Sequence, residues 1–465
     1  MKQRGRHRRR RQGRALRAAL AGAGLSLTAA ATLISTSQAT VADDPGALKP
    51  LTSSARLDRL RLTEQPVPAR SLARLAAAMG RPVDAGAVLD SADRTLRDAD
   101  GCTAEEKESL PVEPAATRAY CWNAADAATR QWQPESVATS GDAADDGRWG
   151  THRVILSGWS RHGGEAGSDL ARVAFVDADD PDHLTYTWAL LAVPVDGGRD
   201  YRGLASRVSG MVWYRDKLLV TTSGGERDAL YVYDLRRIQR ATVAGDAVGR
   251  VPGGWSAHGY RWVLPAVASY RPVEGSCARA DTPSAQADSA DDGGLAAPAG
   301  SPIAAAPCPT GLSLDRGSAP GSLVASETAP RGSGRHTRLW RYSFSTDPDR
   351  AGLLATDPAG TVTAREAYET KVDGVRGVLT RRTGASGPVW YLARAAGPDS
   401  GHGTLWRQDL RGAGATECGS SDDTRRCWGD GTGSLAYWAQ TGEVWSLSGR
   451  TLFAVPLSSV ERALR

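Results

Sequence analysis

The sequence has few residues of the kinds that build metal and covalent catalytic centres. It holds six cysteines and seven histidines among 465 residues. No two cysteines form a C-x-x-C pair and no two histidines form an H-x-x-x-H pattern, which disfavours a zinc centre. A G-x-x-x-x-G-K-[ST] loop and a complete G-x-S-x-G motif are also lacking, which argues against nucleotide binding and against a serine hydrolase. No cofactor is predicted.

Acidic residues cluster in two glycine- or proline-bounded turns, at 141–147 and 176–182. Calcium favours such groups of oxygen atoms. Neither turn has the spacing or the closing glutamate of the twelve-residue calcium loop. We interpret both as solvated turns and predict no metal site.

A long, strongly hydrophobic run is also missing. The most apolar stretch, 15–34, is rich in Ala, Gly, Ser and Thr; basic residues precede it and small residues follow it. This order is typical of a secretory signal. We expect residues 1–42 to be a signal peptide, cleaved after Ala39 or Ala42, and the mature protein to be secreted and extracellular, with no stable membrane span.

The formal net charge of +5 comes from this first segment. Nine basic side chains and no acidic ones precede Asp43, so removal of the segment leaves a charge of −4. Duplex nucleic acids are bound by basic surfaces. A nucleic-acid partner is therefore not expected.

The cysteine count is even, as expected in an oxidising compartment. Sequence alone leaves the pairing open, but order along the chain favours local bridges. The favoured pairs are Cys102–Cys121, Cys277–Cys308 and Cys418–Cys427. The residues between the second pair are small, acidic and proline-rich, and predict a flexible insert at 278–307.

Residues 43–130 differ in composition from the rest. The stretches 53–62, 68–80 and 83–100 are rich in Ala, Leu and Arg, with apolar residues at three- and four-residue steps such as Leu72, Leu75, Ala76 and Met79. This pattern predicts short amphipathic helices. We expect a helical N-terminal extension.

From residue 131 to 465, short apolar runs alternate with Gly, Asp, Ser and Pro, and a strand with a small residue at its fourth position recurs five times. Two further strand-like runs follow each copy. Outer fourth strands are visible in three repeats, at 185–193, 262–270 and 360–368. The small residues are Ser136, Gly210, Gly311, Gly377 and Gly433.

This repeat is typical of a β-propeller, in which sheets pack face to face around an axis. Inner strands converge there, and a small side chain leaves room for neighbouring backbones. We predict an all-β fold, a five-bladed β-propeller. The alternatives are a six-bladed propeller, with one blade hidden in 241–300, and two stacked sandwiches.

Over residues 120–460 the chain resembles a group of secreted actinobacterial proteins with β-propeller-like repeats. The resemblance rests on several segments, among them WQPESVATSGDA (132–143), SGMVWYRDKLLVTT (209–222) and GSLAYWAQTGEVWSLS (433–448). Relatives carry a Gln-Gly pair in place of Glu135-Ser136 and of Arg376-Gly377. The resemblance implies the propeller fold, with an altered polar set at the axis, and carries no activity over.

Charged residues on or beside the inner strands are the candidate axis residues, and the functional hypotheses depend on them. Two carboxylates facing one axis could perform glycoside hydrolysis, whereas acids in such turns more often accept turn hydrogen bonds. The candidates are Glu135, Asp315, Arg316, Asp373, Arg376 and Asp430.

We therefore predict a secreted binding or scaffold protein with an unknown extracellular ligand or protein partner, since propeller axes collect loops from every blade. The alternative is an extracellular hydrolase, glycosidase- or esterase-like, with carboxylates at the axis.

Overall fold

The computed structural model describes residues 44–161, 169–223, 226–277, 306–330, 332–382, 387–396, 401–419 and 424–464. The predicted signal peptide and nearly all of the predicted insert lie outside these residues. Residues Ala47–Arg465 form one compact unit. In the preceding unit, the Gly46 N–H donates a hydrogen bond of 2.8 Å to Asp44 Oδ1.

Of the three predicted outer strands, 185–193 and 262–270 each form one strand, whereas 360–368 is divided between Thr361–Val362 and Glu366–Thr370. In chain order the strands are β1 (Lys49–Pro50), β2 (Leu62–Pro66), β3 (Arg94–Thr95), β4 (Arg118–Cys121), β5 (Trp132–Thr139), β6 (Val154–Arg161), β7 (Leu170–Asp177), β8 (Thr185–Val195), β9 (Asp200–Gly203), β10 (Met211–Tyr214), β11 (Lys217–Thr221), β12 (Leu230–Asp234), β13 (Gln239–Arg240), β14 (Val248–Val251), β15 (Gly254–Ala257), β16 (Trp262–Pro272), β17 (Gly311–Asp315), β18 (Ser322–Ser326), β19 (Thr337–Ser343), β20 (Thr361–Val362), β21 (Glu366–Thr370), β22 (Val375–Arg382), β23 (Pro388–Arg394), β24 (His402–Gln408), β25 (Ala413–Ala415), β26 (Trp428–Asp430), β27 (Ala436–Trp438), β28 (Glu443–Ser448) and β29 (Thr451–Pro456).

Helices are short and lie mainly before β5. They are α1 (Ser54–Asp58), α2 (Ala69–Met79), α3 (Ala85–Leu89), α4 (Ala104–Glu108), α5 (Ala124–Ala128), α6 (Ser140–Ala143) and α7 (Leu457–Ala463). Two 3₁₀ turns, Asp196–Gly198 and Pro348–Arg350, complete the set within the described part of the chain. None of these helices has the length and apolarity needed to cross a membrane.

The strands pair into antiparallel four-strand meanders, which we call meanders I to V. Their strand orders are β5-β6-β7-β8 in I, β10-β11-β12-β16 in II, β17-β18-β19-β21 in III, β22-β23-β24-β25 in IV and β27-β28-β29-β4 in V. The second and third strands are almost wholly buried, as in β6 and β7, because their apolar residues face neighbours on both sides.

Meander V takes its outer strand from the N-terminal segment. Strand β4 pairs antiparallel with β29, with Cys121 opposite Thr451 and Arg118 opposite Ala454. Residues 43–130 thus differ from the predicted helical extension, because they also supply four strands. The partner of β4 lies more than 300 residues away, and such pairing leaves no local pattern in the sequence. Helical periodicity therefore could not reveal β4.

The other N-terminal strands add to neighbouring meanders. Strand β1 pairs with β21, β2 with β16, and β3 with β8. Meanders I and II are joined directly, because β8 and β16 pair in parallel from Trp262 opposite Ala189 to Pro265 opposite Ala192. Much of the N-terminal segment is therefore part of the β structure.

The five small residues, which we call the hub residues, lie where the first strands of the meanders touch. Between meanders I and II, Ser136 Oγ donates to the carbonyl oxygen of Val208. Between II and III, a Cβ placed on Gly210 would lie 2.7 Å from the backbone nitrogen of Leu312. Real Cβ atoms do not approach so closely, so the contact at Gly210 needs a glycine.

The contacts continue through the remaining meanders and return to the first. A Cβ on Gly311 would lie 3.2 Å from the carbonyl oxygen of Arg376, and one on Gly377 would lie 2.8 Å from that of Gly433. A Cβ on Gly433 would in turn lie 2.9 Å from the carbonyl oxygen of Glu135. The predicted convergence of the small residues is confirmed, and the mostly β arrangement is propeller-like.

All six cysteines form the disulfides that chain order favours: Cys102–Cys121, Cys277–Cys308 and Cys418–Cys427. The first joins the loop before α4 to β4. It therefore fixes a helix of the N-terminal segment to the outer edge of meander V.

A buried ion pair fixes α5 to meander I. The Asp126 carboxylate accepts hydrogen bonds from Arg172 Nη2 at 3.2 Å, from the Tyr186 hydroxyl at 2.8 Å and from Trp188 Nε1 at 3.1 Å. The Arg172 guanidinium carbon lies 3.6 Å from the centre of the Trp188 ring. Arg94 Nε also lies 3.6 Å from Asp126 Oδ2, so it is the removal of Asp126 that would leave a buried charge, that of Arg172, without a carboxylate beside it.

We expect Asp126→Ala to lower the free energy of unfolding by about 3–5 kcal/mol, because Arg172 would keep its buried charge without a partner. The double variant Asp126→Ala/Arg172→Met should recover part of that loss. Urea denaturation measures both. A loss below about 1 kcal/mol, or strictly additive losses in the double variant, would contradict the coupling.

Candidate functional site

Two of the candidate axis residues occupy matching bulges at the start of their inner strands. The pairing of β5 with β6 shifts register between Pro134 and Ser136, and that of β22 with β23 shifts between Val375 and Gly377. The residues inside the shifts are Glu135 and Arg376. A bulge turns a side chain away from the regular faces of a sheet, and here it turns both toward the hub.

The residue before each hub residue is polar in all five meanders. We call these residues the rim: Glu135, Ser209, Thr310, Arg376 and Thr432. Four of them line one small cavity of about 250 Å³, together with Arg207 and the backbone around Gly433. Thr310 is the rim residue that does not line this cavity. Its hydroxyl lies 2.6 Å from that of Thr328.

The Glu135 carboxylate is held by donors on both oxygens. Oε1 accepts from Arg207 Nε at 2.7 Å and lies 2.6 Å from Arg207 Nη2. Oε2 accepts from Ser160 Oγ at 2.7 Å and from the Val208 N–H at 2.9 Å. Glu135 is also buried. A carboxylate with this many donors is a fixed anion that orients Arg207.

Arg376 has a different environment. Its side chain is exposed to solvent within the cavity, yet the surrounding protein desolvates the guanidinium and lowers its pKa. The positive charge of Arg207 lowers the pKa further, and Glu135 opposes both effects. Among the residues that the structure describes, no side chain or carbonyl accepts a hydrogen bond from the Arg376 guanidinium.

A much larger cavity, of about 1070 Å³, adjoins the small one and shares Pro134, Glu135, Arg207 and Gly431 with it. Its wall is built by the N-terminal segment. Helix α4 contributes Glu105, Glu106 and Glu108, and α5 contributes Ala124, Ala127 and Ala128. We call the two adjoining spaces the axial cavity.

Helix α4 is fixed in this wall by local and distant contacts. Thr103 and Glu106 form a capping box at its start, and Arg97 pairs with Glu106 at 2.7 Å. The carbonyl oxygen of the next residue, Ser109, accepts the Asp430 N–H at 2.9 Å. The wall is therefore attached to meander IV through β26.

Asp430 and His402 face the same large cavity. They are opposite each other in the pairing of β24 with β26. Within the described ranges, no group donates to the Asp430 carboxylate, and His402 Nδ1 is a buried atom without a hydrogen-bond partner. Glu135 and Asp430 are therefore two carboxylates in one space, and their environments differ.

Asp315 and Arg316 lie elsewhere, at the far end of β17. Asp315 comes five residues after the rim position Thr310, a distance of roughly 16 Å along a strand. It is 1% exposed, pairs with Arg341 and accepts the Gly317 N–H at 2.8 Å. The expectation that Asp315 faces the axis together with Glu135 is not met. Its side chain lies at the end of the strand away from the rim, where it is buried between meanders III and IV.

Arg316 links meanders III and I at the end of the inner strands away from the rim. Its Nη2 donates to the carbonyl oxygens of Asp142 and Ala144, both at 3.1 Å. These acceptors belong to α6 and the residue after it, which follow β5 of meander I. Because the inner strand of meander II separates β5 from β17, this contact joins two meanders that are not neighbours in the ring.

Asp373 joins neither group. Its Oδ1 lies 2.8 Å from Arg394 Nη2, and its Oδ2 accepts the Gly332 N–H at 2.9 Å. It lines neither part of the axial cavity. Its charge is used to hold the loop after β18 against β23, and we assign it no place in the site.

The acid-rich turn at 176–182 meets a histidine. His152 Nδ1 lies 3.1 Å from Asp179 Oδ2 and 3.6 Å from Asp177 Oδ2, a grouping that could hold a metal ion. The Arg153 N–H already donates to Asp179 Oδ1 at 2.9 Å, and Arg148 Nη1 lies 3.2 Å from the same oxygen. These donors bind Asp179 Oδ1, whereas Oδ2 lies beside His152 Nδ1.

The residues that sequence reasoning missed are Arg207, Ser209, Thr432 and the wall residues of α4 and α5. A signal existed for the first three: Ser209 and Thr432 stand immediately before a hub glycine, as Glu135 stands before Ser136, and Arg207 precedes Ser209 by two residues. No comparable signal marks the wall, because α4 is held at the cavity by long-range contacts, among them the Cys102–Cys121 disulfide and the Asp430 N–H bond to Ser109.

No protein-family model and no curated protein matches this chain. Solved structures similar to it include a gluconolactonase from Xanthomonas campestris that is important in glucose secondary metabolic pathways. The match has 12% sequence identity and covers 81% of this chain and 98% of that chain, with a TM-score of 0.25. A TM-score of this size carries no argument about fold or function, so we infer the function from the geometry of the axial cavity.

Asp142, in α6, is a buried carboxyl whose pKa is raised to about 8 by desolvation, although Arg316 lowers it. Between about pH 4 and pH 8 the unfolded chain loses this proton and the folded chain keeps it. The free energy of unfolding should therefore fall with rising pH across this window, by at most about 1.4 kcal/mol per pH unit, and then level off.

We expect Asp142→Asn, which is neutral at every pH, to lose this fall, so that the variant gains stability relative to the natural protein as pH rises from about 4 to about 8. Asp145→Asn, in the same turn but exposed, is the matched control and should follow the natural pH profile. Urea unfolding at a series of pH values measures the difference. Parallel profiles for the natural protein and Asp142→Asn would show that Asp142 is ionised when folded.

Proposed function

We propose that this chain is a secreted five-bladed β-propeller that binds a small polar extracellular ligand in its axial cavity. Each of meanders I to V would be one blade. In the described part of 241–300, the strands other than β16 are β14 and β15, and they form only a two-stranded hairpin. This favours five blades over six. The three disulfides favour an oxidising compartment. The proposal includes that this chain belongs to the group of secreted actinobacterial proteins that it resembles.

One observation carries the binding function: charged and hydroxyl side chains from four meanders converge on one cavity. Such a cavity, with a few convergent polar groups, is the usual form of a small-molecule site. Its volume accommodates a ligand of sugar or dipeptide size. The saturated hydrogen bonding of Glu135 favours a positioning role for that carboxylate over proton transfer.

Hydrolysis remains the second candidate function. The observation that favours it is the presence of Glu135 and Asp430 in one cavity, beside His402. Glycoside hydrolysis uses two carboxylates with different roles. Asp430, with no donor among the described residues, would be the proton-transferring group, and Glu135 the permanent anion.

Binding in the axial cavity is tested with a tryptophan placed in its wall. Ala128 is exposed and lines the cavity, whereas Ala125 is exposed on the same helix and does not line it. On an array of glycans and short peptides, we expect Ala128→Trp to abolish the binding shown by the natural protein, because the indole would fill the entrance. Ala125→Trp should bind normally.

An array without any bound compound, or equal binding by both tryptophan variants, would contradict the proposal. Turnover of an array compound that Glu135→Gln or Asp430→Asn abolishes would instead establish hydrolysis.

A further inference from the structure

The small part of the axial cavity contains an unbalanced positive charge. Its charged lining residues are Glu135, Arg207 and Arg376. Glu135 and Arg207 compensate each other through two close contacts. The guanidinium of Arg376 has no acceptor among the described residues, so this part of the cavity carries about one uncompensated positive charge.

The neighbouring groups are suited to an anion. Among the described residues, Ser209 Oγ has only a long contact of 3.4 Å with Thr221 Oγ1, and Thr221 Oγ1 already accepts the Gly210 N–H at 2.9 Å. The Ser209 hydroxyl can therefore donate to a ligand. Arg207 contributes a second guanidinium whose orientation Glu135 fixes.

The larger part of the cavity has more acidic than basic side chains without an ion pair among the described residues. Glu105, Glu108 and Asp430 are the acidic ones. The basic one is Arg450, whose guanidinium donates to the backbone carbonyls of Asp126, Thr129 and Trp132. A ligand that spans both parts should therefore place a negative group at Arg376 and hydroxyl or ammonium groups toward α4 and β26.

We propose that the small cavity is an anion site in which Arg376 binds the carboxylate of a small polar ligand. The inference rests on the proposed function, since it concerns the same cavity. A planar guanidinium fork matches a carboxylate with two parallel hydrogen bonds. One uncompensated positive charge balances a monoanionic carboxylate, whereas a phosphate dianion would leave a negative charge unbalanced beside Glu135.

Three sugars of similar size and different charge test the site: glucuronate, glucose and glucosamine. We expect isothermal titration of the natural protein to show glucuronate binding at least about tenfold more tightly than glucose, since hydrogen bonds between charged groups are stronger than those between neutral groups. Arg376→Gln should remove this preference. Arg240→Gln, an exposed arginine on β13 far along the chain from the rim, is the charge-matched control and should bind as the natural protein does.

A second measurement, chemical labelling of arginines, tests the anion site without the uncharged part of the ligand. Phenylglyoxal labels accessible arginines, and mass spectrometry locates the label. Acetate, which is small enough for the small cavity alone, should slow labelling of Arg376 and leave that of Arg240 unchanged. Equal labelling of Arg376 with and without acetate would overturn the anion site, as would glucuronate binding that Arg376→Gln does not weaken or an absence of glucuronate binding.

These outcomes separate the two proposals. Equal affinity for the three sugars, still abolished by Ala128→Trp, would contradict the anion site and leave binding in the axial cavity intact. Glucuronate binding that depends on Arg376 but not on Ala128 would support the anion site and contradict the larger cavity as the place of the ligand body.

Discussion

The packing of backbone against backbone at the hub is the constraint on which the rest of the structure depends. At four of the five hub positions a glycine lets its strand approach the next inner strand closely, and at the fifth Ser136 makes a hydrogen bond across the gap. This spacing brings the preceding residues, which form the rim, within reach of one another. The polar site is therefore a direct consequence of the small residues that follow it in the chain.

The N-terminal segment couples the stability of the ring to the shape of the site. Strand β4 supplies the last strand of meander V, and the Cys102–Cys121 disulfide ties it to the loop before α4. The same helix forms one wall of the axial cavity. Asp126 holds α5, a second part of that wall, against meander I. Completing meander V and enclosing the axial cavity thus use the same segment of the chain.

Sequence reasoning predicted much of the fold because the fold is locally repetitive. Each meander is a run of neighbouring antiparallel strands, and the alternation of apolar runs with turns marks most of them. What it missed is non-local. Strand β4 has only four residues, and its partner lies more than 300 positions away. Nothing in the local pattern of Arg118–Cys121 distinguishes a strand from a loop.

The site was predicted only in part, for a similar reason. Glu135 and Arg376 were candidates because they adjoin small residues on inner strands, and the matching bulges bring both to the rim. Asp315 ends an inner strand and Arg316 follows it, at the end away from the rim. The sequence shows which strand a residue belongs to more readily than how far along the axis it lies. Asp430 reaches the cavity through β26, a strand outside the regular repeat.

Crowding at the hub is measured most directly by a pair of glycine substitutions. A Cβ at Gly377 would lie 2.8 Å from a backbone oxygen, whereas one at Gly412 meets nothing within 4 Å. We expect Gly377→Ala to lower the free energy of unfolding by about 1–3 kcal/mol through overpacking. Gly412→Ala should leave that free energy unchanged or raise it slightly. Equal stability of the two variants would contradict the convergence of inner strands at the hub.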